Sequence, residues 1–177
     1  MKIEKLFVYK DRKYNVVAYD TDWQKRFLNE AQTIGKIFGS DIQIEHIGST
    51  SVPGMNGKPC IDILVISKDL KIVKEYISDM ENAGYSYRGA FVSKDALLFT
   101  KIKNNAVEEN AHFLPEGHPH IKEMLSLRDY LRNNPDEVSQ YSELKKTLKE
   151  KYPNDYAQYR KEKDEYMKNL KDRVKKA

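Results

Sequence analysis

The sequence predicts an α/β (α+β) fold. A mixed β-sheet core with flanking helices occupies residues 1–117, and a C-terminal helical segment, 118–177, packs on it within a single domain. Three observations carry that expectation. Residues 60–66 form an almost wholly apolar run whose single charge is Asp62, and strands of that kind lie inside a sheet covered on both faces. Apolar residues recur at helical spacing on either side of this run. The last third holds Pro119, Pro135 and Pro153, each placed where a helix can begin.

Taken in order, residues 5–19 read as a hairpin, with two apolar stretches flanking the polar turn Lys10-Asp11-Arg12-Lys13. Asp20, Thr21 and Asp22 offer caps for a first helix, which carries Trp23, Phe27, Ile34 and Phe38 on one face and stops at Gly39. A strand over 42–47 sets Ile42, Ile44 and His46 on one face, with Gln43, Glu45 and Ile47 on the other. A Gly/Ser/Pro-rich loop fills 48–59 before the apolar strand. Residues 69–83 read as one helix with Leu70, Val73, Ile77 and Met80 inward, closed by Gly84. Strands over 96–102 and 107–114 flank Lys103-Asn104-Asn105, a hairpin turn. Helices follow over 121–132, from Pro135 and from Pro153. Their tyrosines, Tyr141, Tyr152, Tyr156, Tyr159 and Tyr166, are expected to pack against the domain.

Bulk properties bound the function classes. Twelve tyrosines, six phenylalanines and one tryptophan in 177 residues argue against disorder. The lone cysteine, Cys60, allows no internal disulfide and reads as a buried, inert thiol. No apolar run approaches the ~20 residues of a membrane span. Met1 to Lys5 lacks the apolar core of a signal peptide, so a cytoplasmic setting is expected. Residues 1–117 hold 16 basic and 16 acidic side chains, whereas 118–177 hold 15 and 11. The positive excess therefore lies wholly in the C-terminal third, which leaves a nucleic-acid partner open.

The segment with chemical potential runs from Glu45 to Asp62. A strand ending in Gly48-Ser49-Thr50-Ser51 exposes backbone N–H groups and three hydroxyls, which suits phosphate oxygens. Lys58 can add a positive charge. The spacing is not that of a Walker loop. Asp62 follows on the next strand, and a carboxylate in an apolar strand needs a partner, hydrogen bonds or a metal.

These residues also resemble a known family. The stretch His46-Ile47-Gly48-Ser49-Thr50-Ser51-Val52-Pro53-Gly54, then Lys58-Pro59 and Ile61-Asp62-Ile63, is similar to the signature of GrpB proteins. Tyr19-Asp20 with Trp23 and Phe27 resembles the family's opening motif. Leu127-Arg128-Asp129-Tyr130-Leu131-Arg132, with Asn134-Pro135, Tyr141 and Leu144-Lys145, resembles its helical end. The resemblance covers roughly Tyr14 to Leu170 and implies a nucleotidyltransferase-like fold. It further implies that Gly48 and Ser49 hold a triphosphate and that Asp62 binds Mg²⁺ or another divalent metal. The chain departs from the superfamily's paired carboxylates at Leu64, and two-metal phosphoryl transfer needs several hard oxygen ligands.

His46 and His112 offer a different route, a His/His/Asp metal site with Asp62 or an acid–base pair. His118 and His120 read as solvent-facing, and Glu108 and Glu109 as surface charges near a turn, either of which could instead supply a missing ligand from the last strand. Arg128 and Lys145, on the C-terminal helices, are placed to close over an anion or to brace helices against sheet. Arg128 and Asp129, as neighbours on a helix, are not expected to face each other. Three functional readings stay open: a metal-dependent transferase or hydrolase acting on a nucleotide or small phosphorylated ligand, a non-catalytic module that binds such a ligand, and a nucleic-acid binder using the basic helices.

Overall fold

A computed structural model describes residues 14–90 and 93–175. The chain runs α1 (Asp22–Phe38), β1 (Ile42–Ile47), β2 (Ile61–Ser67), α2 (Leu70–Glu75), α3 (Ile77–Asn82), β3 (Ser86–Ala90), β4 (Leu97–Lys103), β5 (Ala106–Pro115), α4 (Pro119–Arg132), α5 (Pro135–Lys151) and α6 (Tyr156–Val174). Single 3₁₀ turns occupy Gly39–Asp41 and Ser49–Ser51.

The strands form one mixed sheet in the order β1-β2-β5-β4-β3. Only the β2–β5 pair is parallel. Both strands sit inside the sheet, which accounts for the apolar character of residues 61–66. On one face, Trp23, Phe27, Ile34 and Phe38 of α1, with Val73 and Met80, cover Ile61, Ile63, Val65, Phe99, Ala111 and Phe113. Burying each such large side chain stabilises the fold by roughly 1.5–3 kcal/mol. On the other face, Ile121, Met124 and Leu125 of α4 cover Ile47, Leu64, Ile66 and Leu114.

The loop between β1 and β2 is held by the helical segment. Its Val52 and Met55 are buried among Leu131, Val138, Tyr141 and Leu170 of the last three helices. Tyr156 and Tyr159 pack with Leu148, Tyr14 and Val16. The tyrosines therefore pack inward, as their spacing predicts.

Several elements differ from the sequence reading. Residues 14–19 form no strand. Val17 makes only an isolated bridge to Gly57, and the remainder of the expected hairpin lies outside the described residues. The helix expected over 69–83 is divided at Tyr76, whose N–H bonds to Val73 O, an i to i−3 contact, while its ring lies against Phe38. Residues 86–90 form an edge strand that was not expected. It contains Gly89 and lacks an apolar alternation, and it exists through pairing with β4. The last helix begins after Asp155, whose side chain accepts from Gln158 N, and not at Pro153.

The β4–β5 hairpin turns through Asn104 and Asn105, at φ 50° and 60°. Asparagine tolerates this left-handed region and β-branched residues do not. Asn105→Val is expected to lower stability in urea denaturation by about 1–2 kcal/mol, and Asn105→Gly to stay within about 0.5 kcal/mol.

Candidate phosphate-binding site

Gly48 opens the loop at φ 74°. A Cβ there would lie 2.6 Å from Asp62 Oδ2, so only glycine lets the turn approach the carboxylate this closely. Gly57 has a similar role behind the turn, where a Cβ would meet Ser49 Cβ at 2.9 Å. The turn is then pinned from inside. Ser51 Oγ donates to Gly48 O at 2.6 Å. Arg132 Nε and Nη2 donate to Ser51 O at 2.9 and 2.8 Å. Thr50 Oγ1 shares a 3.0 Å hydrogen bond with His46 Nε2. Of the three hydroxyls, Thr50 and Ser51 are buried and used within the protein. Ser49, half-buried, accepts a 3.0 Å hydrogen bond from Lys145 Nζ.

Lys145 is the unusual group. It is 2% exposed, and its ammonium meets the Ser49 hydroxyl and the face of Tyr141, at 4.2 Å. Among the described residues no carboxylate lies within ion-pair distance of it. Burial, and then the charge of Lys163, push its pKa down from 10.5 to about 7. A buried ammonium without a carboxylate is costly, and a bound anion would relieve that cost. Lys58 Nζ donates to Tyr156 OH at 2.6 Å and contributes positive potential at Asp62.

Asp62 and His112 are brought together. Asn110 Nδ2 donates to Asp62 Oδ1 at 2.8 Å, and His112 Nε2 lies 3.8 Å from the same oxygen. The Asp62 side chain is 32% exposed. Burial raises its pKa, but the nearby His112 imidazole, the hydrogen bond from Asn110 and the charge of Lys58 outweigh that and hold it below the usual carboxylate range.

His46 is not brought to this pair. The register Ile47↔Asp62 and His46↔Ile63 puts His46 and Asp62 on opposite faces of the sheet. His46 stacks on Phe27 at 4.5 Å, and its Nδ1 meets Gln24 Oε1 at 3.3 Å. Burial drives its pKa down to about 4, outweighing the raising effect of Asp62, and Arg132 and Arg128 lower it further. Its imidazole is a neutral tether for Thr50. The expected His46/Asp62/His112 metal set is therefore not assembled. Among the described residues no three His, Cys, Asp or Glu side chains gather closely enough to hold a metal.

The other candidates divide between roles. Arg128 Nη1 donates to Glu45 Oε2 at 2.7 Å and to His46 O at 3.1 Å. It braces α4 against β1. Its Nε also reaches the neighbouring Asp129 at 2.8 Å, contrary to the expectation that the two face apart, because the long side chain folds back along the helix surface. Glu109 is buried and paired with Arg26 at 2.9 Å. His118 is buried as the N-cap of α4, with Nδ1 accepting from His120 N, where solvent exposure was expected.

Sequence reasoning gave no site role to Asn110, Arg132, Gly57 or Tyr156. Asn110 alone left a signal, since it sits two residues before His112 on a strand and so shares its face.

The sequence profile of the family described as GrpB protein matches residues 13–173. The chain belongs to the GrpB family. It is 33% identical over 169 residues to UPF0157 protein YqkA of Bacillus subtilis, covering 95% of this chain and 49% of that protein. The chain thus spans about half the length of that relative. It is 33% identical to Glutamate-rich protein GrpB of Alkalihalophilus pseudofirmus, over 86% of this chain and 90% of that one. The crystal structure of conserved protein GrpB from Enterococcus faecalis superposes with a TM-score of 0.85 at 31% identity, covering 90% and 96% of the two chains. Cid1 poly(U) polymerase with MgGTP bound superposes with a TM-score of 0.53 at 10% identity, over 76% of this chain and 44% of that one. This GrpB chain therefore has a nucleotidyltransferase-like fold. No helix among its described residues is long and apolar enough to cross a membrane.

Proposed function

We propose that this GrpB protein binds the phosphate of a nucleotide or related phosphorylated ligand at the Gly48–Ser51 turn. Ser49 and Lys145 contact the phosphate, and Lys58 supplies long-range attraction. The observation that carries the reading is Lys145, a buried ammonium aimed at Ser49 with no carboxylate among the described residues to balance it. Fold neighbours that bind nucleoside triphosphates make those compounds the natural first probes. Binding without turnover is the form that the residues favour. Leu64, at the place where a second carboxylate would stand, is fully buried under α4.

The basic C-terminal helices give less support to nucleic-acid binding. Lys171 and Arg173 are already paired with Glu123 and Glu137, each at 2.6 Å.

The test is a thermal-shift titration with ATP, UTP and pyrophosphate. A ligand bound by the folded state alone raises the melting temperature by mass action, about 2.7 kcal/mol at a hundredfold excess over Kd. A saturable rise is expected, and Ser49→Ala should reduce it. Flat titrations with all three probes would remove the phosphate reading, and release of phosphate or pyrophosphate would replace binding with catalysis.

A further inference from the structure

The carboxylates that flank the β1–β2–β5 register at Asp62 are largely occupied by protein groups. Paired positions in a pleated sheet share a face. The register Ile47↔Asp62↔Asn110 and Glu45↔Leu64↔His112 therefore defines the side chains that surround Asp62. Two of these residues, Asp62 and Glu45, are acidic. Glu45 is neutralised by Arg128 at 2.7 Å. Asp62 Oδ1 already accepts from Asn110, with His112 beside it. Asp62 Oδ2 lies against Gly48, close enough that a Cβ there would clash.

Mg²⁺ in such sites is held by one or two carboxylates together with waters and substrate phosphates, and here Asp62 alone is on offer, with one oxygen already taken by Asn110, which is a poor set for it. Asn110 and Leu64 hold the places from which β5 and β2 would offer more oxygen ligands. The donors are correspondingly plentiful. His112 Nδ1 is buried without a hydrogen-bond partner. Its Nε2 faces Asp62 Oδ1 at 3.8 Å, and Asn110 Nδ2 donates to that oxygen at 2.8 Å. The ammonium of Lys145 reaches the same turn through Ser49.

We propose that this site takes its phosphate-bearing ligand as the free anion and not as a complex with a divalent cation. Lys145 balances the phosphate charge. Asn110 holds Asp62, with His112 beside it, which lets its charge persist beside the phosphate without a metal. The inference rests on the Gly48–Ser51 turn being the phosphate site, and the experiment separates the two.

Isothermal titration of the full chain with ATP and with pyrophosphate is carried out twice, once in EDTA and once in excess Mg²⁺. The expected result is binding in EDTA that is as tight as in Mg²⁺, or tighter, because Mg²⁺ sequesters the free anion. Binding that appears only with Mg²⁺, or that Mg²⁺ tightens by about tenfold or more (~1.4 kcal/mol), overturns the inference and leaves the phosphate site standing. Absence of binding in both buffers overturns both.

Discussion

Lys145→Met is expected to weaken phosphate binding by roughly 10- to 150-fold while making the protein more stable. The stability half follows from proton linkage. The Lys145 pKa is 10.5 when solvated and about 7 in the fold. Between those values the unfolded chain holds a proton that the folded chain does not, so stability rises with pH across that window. At pH 7 and below the buried ammonium opposes folding, by an amount on the order of 4 kcal/mol at about 1.4 kcal/mol per pKa unit. As pH rises toward 10.5 the opposition disappears. Methionine fills a similar volume without charge, and replacing buried ionic groups by apolar ones commonly gains about 1–3 kcal/mol. That gain should be present at pH 7 and nearly absent at pH 10 in urea denaturation.

The binding half follows from the same group. A charge-assisted hydrogen bond contributes about 1.5–3 kcal/mol, which corresponds to a loss of roughly 10- to 150-fold in affinity. In the unsubstituted protein, affinity should weaken by about tenfold from pH 7 to pH 8.5, because the binding-competent ammonium form becomes scarce. A Lys145→Met protein that is less stable at pH 7, or that still binds pyrophosphate normally, would remove Lys145 as the counter-charge of the site.

Gly48→Ala is expected to be among the most damaging single substitutions outside the apolar core. Two costs add. The residue sits at φ 74° and ψ −173°, a region essentially reserved for glycine, where an L side chain costs about 1–3 kcal/mol. The new methyl also meets Asp62 Oδ2 at 2.6 Å and Asp62 Cβ at 3.1 Å. Asp62 is held by Asn110 and cannot swing away freely, so the total should reach about 2–4 kcal/mol. Gly54 is the control. Its φ is 78°, but nothing lies within 4 Å of a Cβ built there, so Gly54→Ala should show the backbone cost alone. The difference between the two variants measures the contact between the turn and Asp62. Equal losses would mean that the close approach carries no energy.

Much of this architecture is legible in the residues. Trp23, Phe27, Ile34 and Phe38 announce α1, and the apolar run around Asp62 announces an interior strand. Both follow from local periodicity, which depends on neighbours in the chain. The alternation in β1 also groups His46 with Ile42 and Ile44, the residues that meet the α1 core. What the sequence does not fix is the register of β1 on β2. That register turns Asp62 to the opposite face from His46 and dissolves the histidine pair. β3 escapes notice because Ser86 to Ala90 lacks any apolar pattern and owes its conformation to β4. Lys145 offers no local clue to its burial. Its partner Ser49 is 96 positions away, and only the resemblance to GrpB proteins singled it out.

That separation has a consequence for how the protein comes into being. The turn at Gly48 and the carboxylate of Asp62 leave the ribosome early, but Arg132, Lys145 and Tyr156 arrive on the last three helices. Their bonds to Ser51, Ser49 and Lys58 close sequence gaps of 81, 96 and 98 residues. A nascent chain that ends after β5 would present the sheet and the turn with none of these helix-borne groups. Contacts this distant in sequence form slowly and late. A phosphate bound at this turn as proposed would then meet Lys145 only after α5 has docked, so it would act as a rivet between segments made far apart in time.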